Sequence, residues 1–221
     1  MGVRKVSNAS VFLSVGSAVN SEQEAFVQAI ENRLRSEGLT PFTLGRNHFS
    51  SEAPLKAITD LMDNCVGTVV IALERLYFPS GTERRGGENA ISLLQTSITT
   101  PWNHIEAALS YSRGLPLLVI VTTEVRKEGL LEPGYDWFVQ QVEPKASALN
   151  TNEFNGILAS WKMKLGDSKR LRKRNIEFEK MTIGEIISSL RPAHLCGIIG
   201  FFSTTAITAF ALGSKVLGWL S

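Results

Sequence analysis

Trp102, His104 and Glu106 fall close together in PWNHIEAALSYSRG, a stretch that leads into the apolar run LPLLVIV. Side chains four residues apart lie on the same face of a helix, so Trp102 and Glu106 are predicted to be neighbours. Two interpretations fit this spacing. The carboxylate can simply complement the positive end of the helix dipole. Alternatively, it can act as a catalytic group beside an aromatic platform that stacks a planar substrate ring.

Alternating strand and helix patterns in the first 125 residues provide the frame for this pair. Strands bare of charge that alternate with amphipathic helices predict a parallel sheet with helices on both faces. In such sheets functional residues lie at the carboxyl ends of strands and in the loops that follow. The apolar runs span residues 10–15, 39–44, 67–73 and 115–123, and the helical patterns span 21–38, 53–65 and 101–114.

Two further local patterns refine this frame. Ser21 and Glu24 have the spacing of a capping box that starts the first helix. Residues 78–100, FPSGTERRGGENAISLLQTSITT, form a long polar interruption that is predicted to be a solvated loop. Its Arg84 and Arg85, with Tyr77 just before it, either clamp a phosphate or only solvate the surface.

The carboxyl end of the chain carries a candidate membrane segment. Residues 195–214 contain no charge over 20 positions, which is long enough to cross a bilayer. A buried helix of a soluble domain is the alternative. Small residues recur every four positions, a spacing that favours helix self-association and a homo-oligomer. These are Cys196, Gly200, Thr204 and Thr208.

Charge around this segment predicts its orientation. Eight basic residues against three acidic ones occur between Trp161 and Lys180, whereas Lys215 alone follows the span. The positive-inside rule places residues 1–190 in the cytoplasm, and the basic cluster can bind membrane lipid or serve only as a solvated linker helix. Nucleic acid is not expected as a partner, because no aromatic residues are interleaved with these charges.

The composition suits one globular domain with an addition, since 43% of the 221 residues are apolar and 20% are charged. The predicted division is a domain at 1–164, a basic stalk at 165–194 and a transmembrane helix at 195–220. Cys65 and Cys196 lie far apart in apolar surroundings and are interpreted as reduced thiols. The three histidines and two cysteines share no ligand spacing, so neither a metal nor a resident cofactor is predicted.

Several segments of the chain resemble the Toll/interleukin receptor (TIR) domains and, more loosely, the nucleoside deoxyribosyltransferases. VFLSV (11–15) is similar to the first strand of TIR domains, and residues 26–43 to their first helix and second strand. Most specifically, Trp102 to Glu106 matches the W-x-x-x-E motif of TIR domains that cleave NAD. The resemblance covers roughly residues 8–125 and implies a flavodoxin-like, TIR-like α/β fold.

The resemblance also implies a function and a site. It makes Glu106 the catalytic residue and Trp102 its aromatic neighbour in an NAD nucleosidase, with NAD as substrate. A carboxylate near the ribose can stabilise the oxocarbenium-like sugar formed when the N-glycosidic bond breaks. Ser14, Gly16 and Ser17, at the end of the first strand, are further candidates for substrate binding. His104 is a weaker one, since it can equally be a surface histidine.

Together, the resemblance and the candidate membrane segment predict a membrane-anchored NAD nucleosidase. We expect it to act in a prokaryotic stress or antiphage pathway and to be activated by self-association. A rival class remains open, namely a non-catalytic module that binds a nucleotide or protein partner. Such a module signals to, or disrupts, the membrane through its transmembrane helix. Nucleotide binding without turnover distinguishes the rival from the enzyme.

Overall fold

The computed structural model describes the backbone of residues 9–180 and the side chains of residues 9–167. Two short 3₁₀ helices, Gly129–Leu131 and Ala146–Asn150, accompany the regular elements. In chain order these elements are β1 (Ala9–Val15), α1 (Ser21–Ser36), β2 (Leu39–Phe42), α2 (Pro54–Asp63), β3 (Thr68–Ala72), β4 (Leu76–Glu83), β5 (Ile91–Ile98), α3 (Pro101–Ser112), β6 (Leu117–Thr122), β7 (Phe138–Val142) and α4 (Asn152–Lys180).

Five parallel strands form the central sheet in the order β2-β1-β3-β6-β7. The chain passes from β1 outward to β2, crosses back over β1 to β3, and then continues in the opposite direction. The carboxyl ends of β1 and β3 therefore flank the point where the strand order reverses, which is where doubly wound sheets form a crevice. The predicted parallel sheet is confirmed.

Helices cover both faces of this sheet. Alternate residues of β3 point to opposite sides, with Val69 and Ile71 packed in one core and Val70 and Ala72 in the other. The first core is shared with α1 and α4, whose Trp161 is fully buried. The second face is covered by α2 and α3. Burial on both faces explains why the central strands carry no charge.

The start of α1 corrects the predicted capping box. The cap is Asn20, whose Oδ1 accepts a hydrogen bond from the Gln23 backbone N–H at 2.8 Å. Glu24 instead forms an ion pair with Arg46 at 2.6 Å, which lowers the pKa of Glu24 to about 2. Arg46 also pairs with Glu31 at 2.7 Å, so the loop after β2 is fixed to the side of α1.

Residues 78–100 are not the predicted loop, because β4 and β5 form an antiparallel hairpin over Leu76–Ile98. Its turn contains Arg84 and Gly86, both with positive φ. Strand burial does not alternate here, and Leu94, for example, is 75% exposed. The hairpin therefore lacks the alternating pattern of a half-buried strand, and this made its sequence look like an irregular segment.

The predicted boundary between domain and stalk falls inside α4. Leu165 is buried in the core, and one compact unit extends to Leu171. Within residues 9–180 no helix is both long and apolar enough to span a membrane. The predicted transmembrane helix at 195–220, Cys196 and the remainder of the stalk lie outside the described residues.

Candidate active site

A pocket of about 310 Å³ opens at the carboxyl ends of β1 and β3. Its walls combine apolar side chains with two carboxylates, one guanidinium, several hydroxyls and one indole. The lining residues are Val15, Gly16, Ser17, Leu44, Pro54, Ile58, Leu73, Glu74, Arg75, Thr99, Thr100, Trp102 and Glu106. The pocket thus occupies the crevice predicted for ligands in a doubly wound sheet.

Helix α3 brings Trp102 and Glu106 to this pocket. Thr100 caps the helix, and its hydroxyl accepts a hydrogen bond from the Trp102 backbone N–H at 3.4 Å. Asn103 and Ala107 are buried against the sheet and fix the rotation of the helix. One helical face then presents Trp102, which is 42% exposed, together with the less accessible Glu106. Their predicted proximity on one face agrees with this geometry, while their catalytic and binding roles stay predictions.

A chain of hydrogen bonds runs from Thr99 through Asn103 and Ser14 to the Glu106 carboxylate. The Ser14 hydroxyl, at the end of β1, hydrogen-bonds the Glu106 carboxylate. The Asn103 side-chain amide donates to Ser14 Oγ at 2.9 Å, and Thr99 Oγ1 donates to Asn103 Oδ1 at 2.7 Å. Ser14 and Asn103 are buried, so their side chains have few other orientations. The chain therefore holds Ser14 in place beside the acid.

The environment of Glu106 changes its acidity. Burial raises the pKa of Glu106 from 4.5 to about 7, and the hydrogen bond from Ser14 partly opposes this increase. Desolvation disfavours the charged form of a carboxyl group, and the hydroxyl donor favours it. A carboxyl that titrates near neutral pH can exchange protons or stabilise positive charge under physiological conditions.

The other candidates from β1 lie at the same pocket. Ser17 lines it directly, and so does Gly16. A Cβ atom on Gly16 would lie 3.2 Å from Thr100 Cγ2, so the absent side chain lets the end of β1 approach the start of α3. Gly16 therefore has a packing reason of its own, in addition to any contact with a ligand.

His104 does not line the pocket. It lies beside Gly129, where a Cβ atom would be 3.7 Å from His104 Nδ1. Two residues along a helix rotate a side chain by about 200°, so His104 lies away from both Trp102 and Glu106. Helical spacing alone therefore predicts that His104 lies on a different face of α3 from Trp102 and Glu106.

Glu74 and Arg75 line the pocket but were missed from the sequence. The Glu74 carboxylate accepts a hydrogen bond from Ser97 of β5, and its backbone carbonyl accepts one from Gln23 Nε2 at 3.1 Å. Both pocket residues directly follow the buried run GTVVIAL, which contains β3. The rule that places functional residues after parallel strands therefore pointed to them.

The remaining polar candidates, and two further aromatic side chains, lie elsewhere. Tyr77 is 52% exposed on β4, and none of Tyr77, Arg84 and Arg85 is among the residues that line the pocket. Trp137 packs against the core and donates from Nε1 to the Leu130 carbonyl at 3.1 Å. Tyr135 stacks on Trp137 with ring centroids 4.5 Å apart.

Comparison with known proteins gives distant structural similarities. No family model matches the chain. No curated protein matches it either. Among solved structures, the chain is similar to the CMP N-glycosidase BcmB of Clostridium botulinum, with 14% identity, coverage of 63% of this chain and 92% of that chain, and a TM-score of 0.39.

Two other solved structures show similarity at the same level. The flavoenzyme FerB of Paracoccus denitrificans, an NAD(P)H:(acceptor) oxidoreductase, has 10% identity, coverage of 75% and 98%, and a TM-score of 0.37. A conserved protein of Enterococcus faecalis V583 has 12% identity, coverage of 74% and 99%, and a TM-score of 0.33. We therefore base the functional assignment on the chemistry of the pocket itself.

Proposed function

We propose that this protein cleaves the N-glycosidic bond of a nucleotide in the pocket beside α3. One observation carries the proposal, namely a largely buried carboxyl group, Glu106, whose pKa is raised to about 7 in a pocket that it shares with an accessible tryptophan. A pocket of about 310 Å³ with one exposed indole suits a sugar with an attached planar base.

In the proposed reaction the base stacks on Trp102 and the ribose lies beside Glu106. The bond between C1′ and the base nitrogen breaks, and its electron pair leaves with the base. Positive charge then develops on the sugar, and the ionised Glu106 carboxylate stabilises it. Water adds to C1′ and transfers a proton to Glu106, whose pKa near 7 lets it accept the proton and release it again.

NAD is the candidate substrate, and its leaving group fits the residues of the pocket. Nicotinamide is cationic while attached to the ribose and departs as a neutral molecule, so its release needs no proton donor. Glu106 alone therefore suffices as the charged group beside C1′. A neutral purine or pyrimidine needs a proton on departure, and Glu74 is the other carboxyl group that lines the pocket.

Base release from NAD and from nucleoside monophosphates, followed by chromatography, tests the proposal. Glu106→Gln should reduce the rate by about 10²-fold or more, because the neutral amide cannot stabilise the developing charge. Glu124→Gln is the matched control, since Glu124 is exposed in the loop after β6 and does not line the pocket. Undiminished turnover in Glu106→Gln would disprove the assignment of Glu106.

A stability measurement separates lost catalysis from lost folding. The folded-state pKa of about 7 exceeds the ordinary value of 4.5. The contribution of Glu106 to stability is therefore complete below pH 4.5 and is lost as the pH rises through 7. Glutamine does not ionise, so Glu106→Gln should raise the free energy of unfolding at pH 8 by up to about 3 kcal/mol, since a tenfold change in acidity corresponds to about 1.4 kcal/mol. Nucleotide binding by wild type without any turnover would support the non-catalytic module instead.

We also propose that this flavodoxin-like, TIR-like domain is tethered to a membrane and activated by self-association in a prokaryotic stress or antiphage response. The uncharged stretch at 195–214 and the basic residues before it support the tether. The spacing of small residues within that stretch supports self-association.

A further inference from the structure

The structure describes every residue that lines the pocket. Among these residues, Arg75 is the single one with a cationic side chain. It directly follows Glu74, at the base of the β4–β5 hairpin. Its backbone N–H donates to the Ile98 carbonyl at 2.9 Å, which joins the two ends of the hairpin at the rim. The backbone of Arg75 is thus fixed, while its side chain is exposed to the pocket opening.

The guanidinium group of Arg75 makes no hydrogen bond or ion pair within residues 9–167, in contrast to most arginines of the domain. Six others form ion pairs with carboxylates, namely Arg33, Arg35, Arg46, Arg84, Arg113 and Arg126. Arg75 remains unpaired although two carboxylates line the same pocket. Glu74 is engaged by Ser97, and the acidity of Glu106 reflects burial and Ser14 without a contribution from Arg75.

An unpaired guanidinium at the rim of a pocket has a specific chemical use. Its planar fork of N–H donors matches the oxygens of a phosphate group and binds them in pairs. A nucleotide that places its base on Trp102 and its ribose beside Glu106 carries its phosphate at some distance from the glycosidic bond. The exposed rim is the part of the pocket that can accept this charged, hydrated group.

We propose that Arg75 binds the phosphate of the substrate, so that the site selects phosphorylated nucleosides over unphosphorylated ones. The inference rests on the proposed function for the identity of the substrate, but phosphate selection is a property of binding. It can therefore be measured without turnover. Arg75 is a specificity-determining residue in this assignment, and the bond-breaking step does not depend on it.

Calorimetry on the full-length Glu106→Gln protein tests the inference, with nicotinamide mononucleotide and nicotinamide riboside as matched probes. Mononucleotide should bind at least tenfold more tightly than riboside, and Arg75→Ala should remove that difference by weakening only the mononucleotide. Arg75→Lys should retain part of the preference, because the ammonium keeps the charge but loses the fork. Arg85→Ala is the matched control, since Arg85 also lacks a partner among the described residues but lies on the hairpin turn away from the pocket.

The outcomes separate this inference from the proposed function. Equal binding of the two probes, absence of mononucleotide binding, or an Arg75→Ala variant that keeps the preference would each overturn the role of Arg75. Base release by wild type with no phosphate preference would leave the proposed function standing alone. If mononucleotide binding depends on Arg75 but wild type releases no base, the role of Arg75 would stand and the proposed enzymatic activity would be rejected.

Discussion

Two opposing influences set the acidity of Glu106. Burial raises its pKa to about 7, whereas the Ser14 hydroxyl stabilises the ionised form and lowers it. The proposed chemistry needs the ionised form in the free enzyme. The value of kcat/KM should therefore rise with pH through about 7 and level off above it.

Replacing Ser14 with alanine should move this dependence to higher pH. Ser14→Ala removes the donor that lowers the pKa of Glu106, so the midpoint of the rise in kcat/KM should increase, by up to about 1 pH unit for a hydrogen bond of typical strength. The measurement is kcat/KM for base release between pH 5.5 and 9, a range that brackets the midpoint near 7.

Ser17→Ala provides the comparison, because the Ser17 hydroxyl lines the same pocket but is not among the groups that shift the pKa of Glu106. Its midpoint should match that of wild type. A midpoint that stays fixed or falls in Ser14→Ala would show that Ser14 does not act through the ionisation of Glu106.

Individual site residues were predictable from the sequence to different degrees. The four-residue spacing of Trp102 and Glu106 placed both on one face of α3, because helical geometry is local. Glu74 and Arg75 are adjacent in sequence to β3, but they reach Glu106 only through the order of the strands. The unpaired state of Arg75 depends on where every other charge lies, so no local pattern predicts it.

At the level of elements, the four parallel strands β1, β2, β3 and β6 were predicted from the sequence, whereas β7 and the hairpin were not. Each strand of the central sheet is buried or half-buried between helices, and the inner ones appear as charge-free runs. β4 and β5 expose apolar and polar residues alike, and their strands contain Pro79 and the positive-φ residue Gln95. Both features are unusual in a regular strand and concealed the hairpin in the sequence.

Helix α4 depends on a glycine that lies far from it in sequence. A Cβ atom on Gly67 would lie 2.2 Å from Leu165 Cδ2 and 3.1 Å from the Pro116 carbonyl oxygen. Trp161 closes the same space, since its Nε1 donates to the Pro116 carbonyl at 3.0 Å. The missing side chain at Gly67 therefore leaves the space that Leu165 of α4 occupies at the amino ends of the strands.

Gly67→Ala should lower the free energy of unfolding by about 1–3 kcal/mol, because the added methyl group displaces Leu165 from a filled core. Chemical denaturation measures this change. Gly166→Ala is the matched control, since a Cβ atom there meets nothing within 4 Å and alanine favours the helix by about 0.5–1 kcal/mol. Equal stability of Gly67→Ala and wild type would contradict close packing at this edge.

At the scale of the whole molecule, the pocket and the contacts of Trp161 and Leu165 lie at opposite ends of the parallel strands. The pocket is formed at the carboxyl ends of β1 and β3. Among the side chains that the structure describes, Trp161 and Leu165 of α4 lie against Pro116 and Gly67, at the amino ends of β6 and β3. The residues that line the pocket lie between Val15 and Glu106, all of them before α4 in the sequence.

This separation gives a prediction for the proposed tether. Deleting residues 193–221 should move the protein from the membrane fraction to the soluble fraction, because the deletion removes all 20 uncharged positions of the candidate span. The far-ultraviolet circular dichroism of the domain and the nucleotide affinity of the pocket should remain, since every described core and pocket residue precedes the deletion.

Replacing Phe201 and Ile207 with leucine in the full chain is the control, because this change keeps the segment hydrophobic and should keep the protein in the membrane fraction. Fractionation after alkaline carbonate washing measures the first effect, and calorimetry with nicotinamide mononucleotide measures the second. A truncated protein that still sediments with membranes would remove residues 195–214 as the anchor, and a truncated protein that loses nucleotide affinity would show that the pocket depends on them.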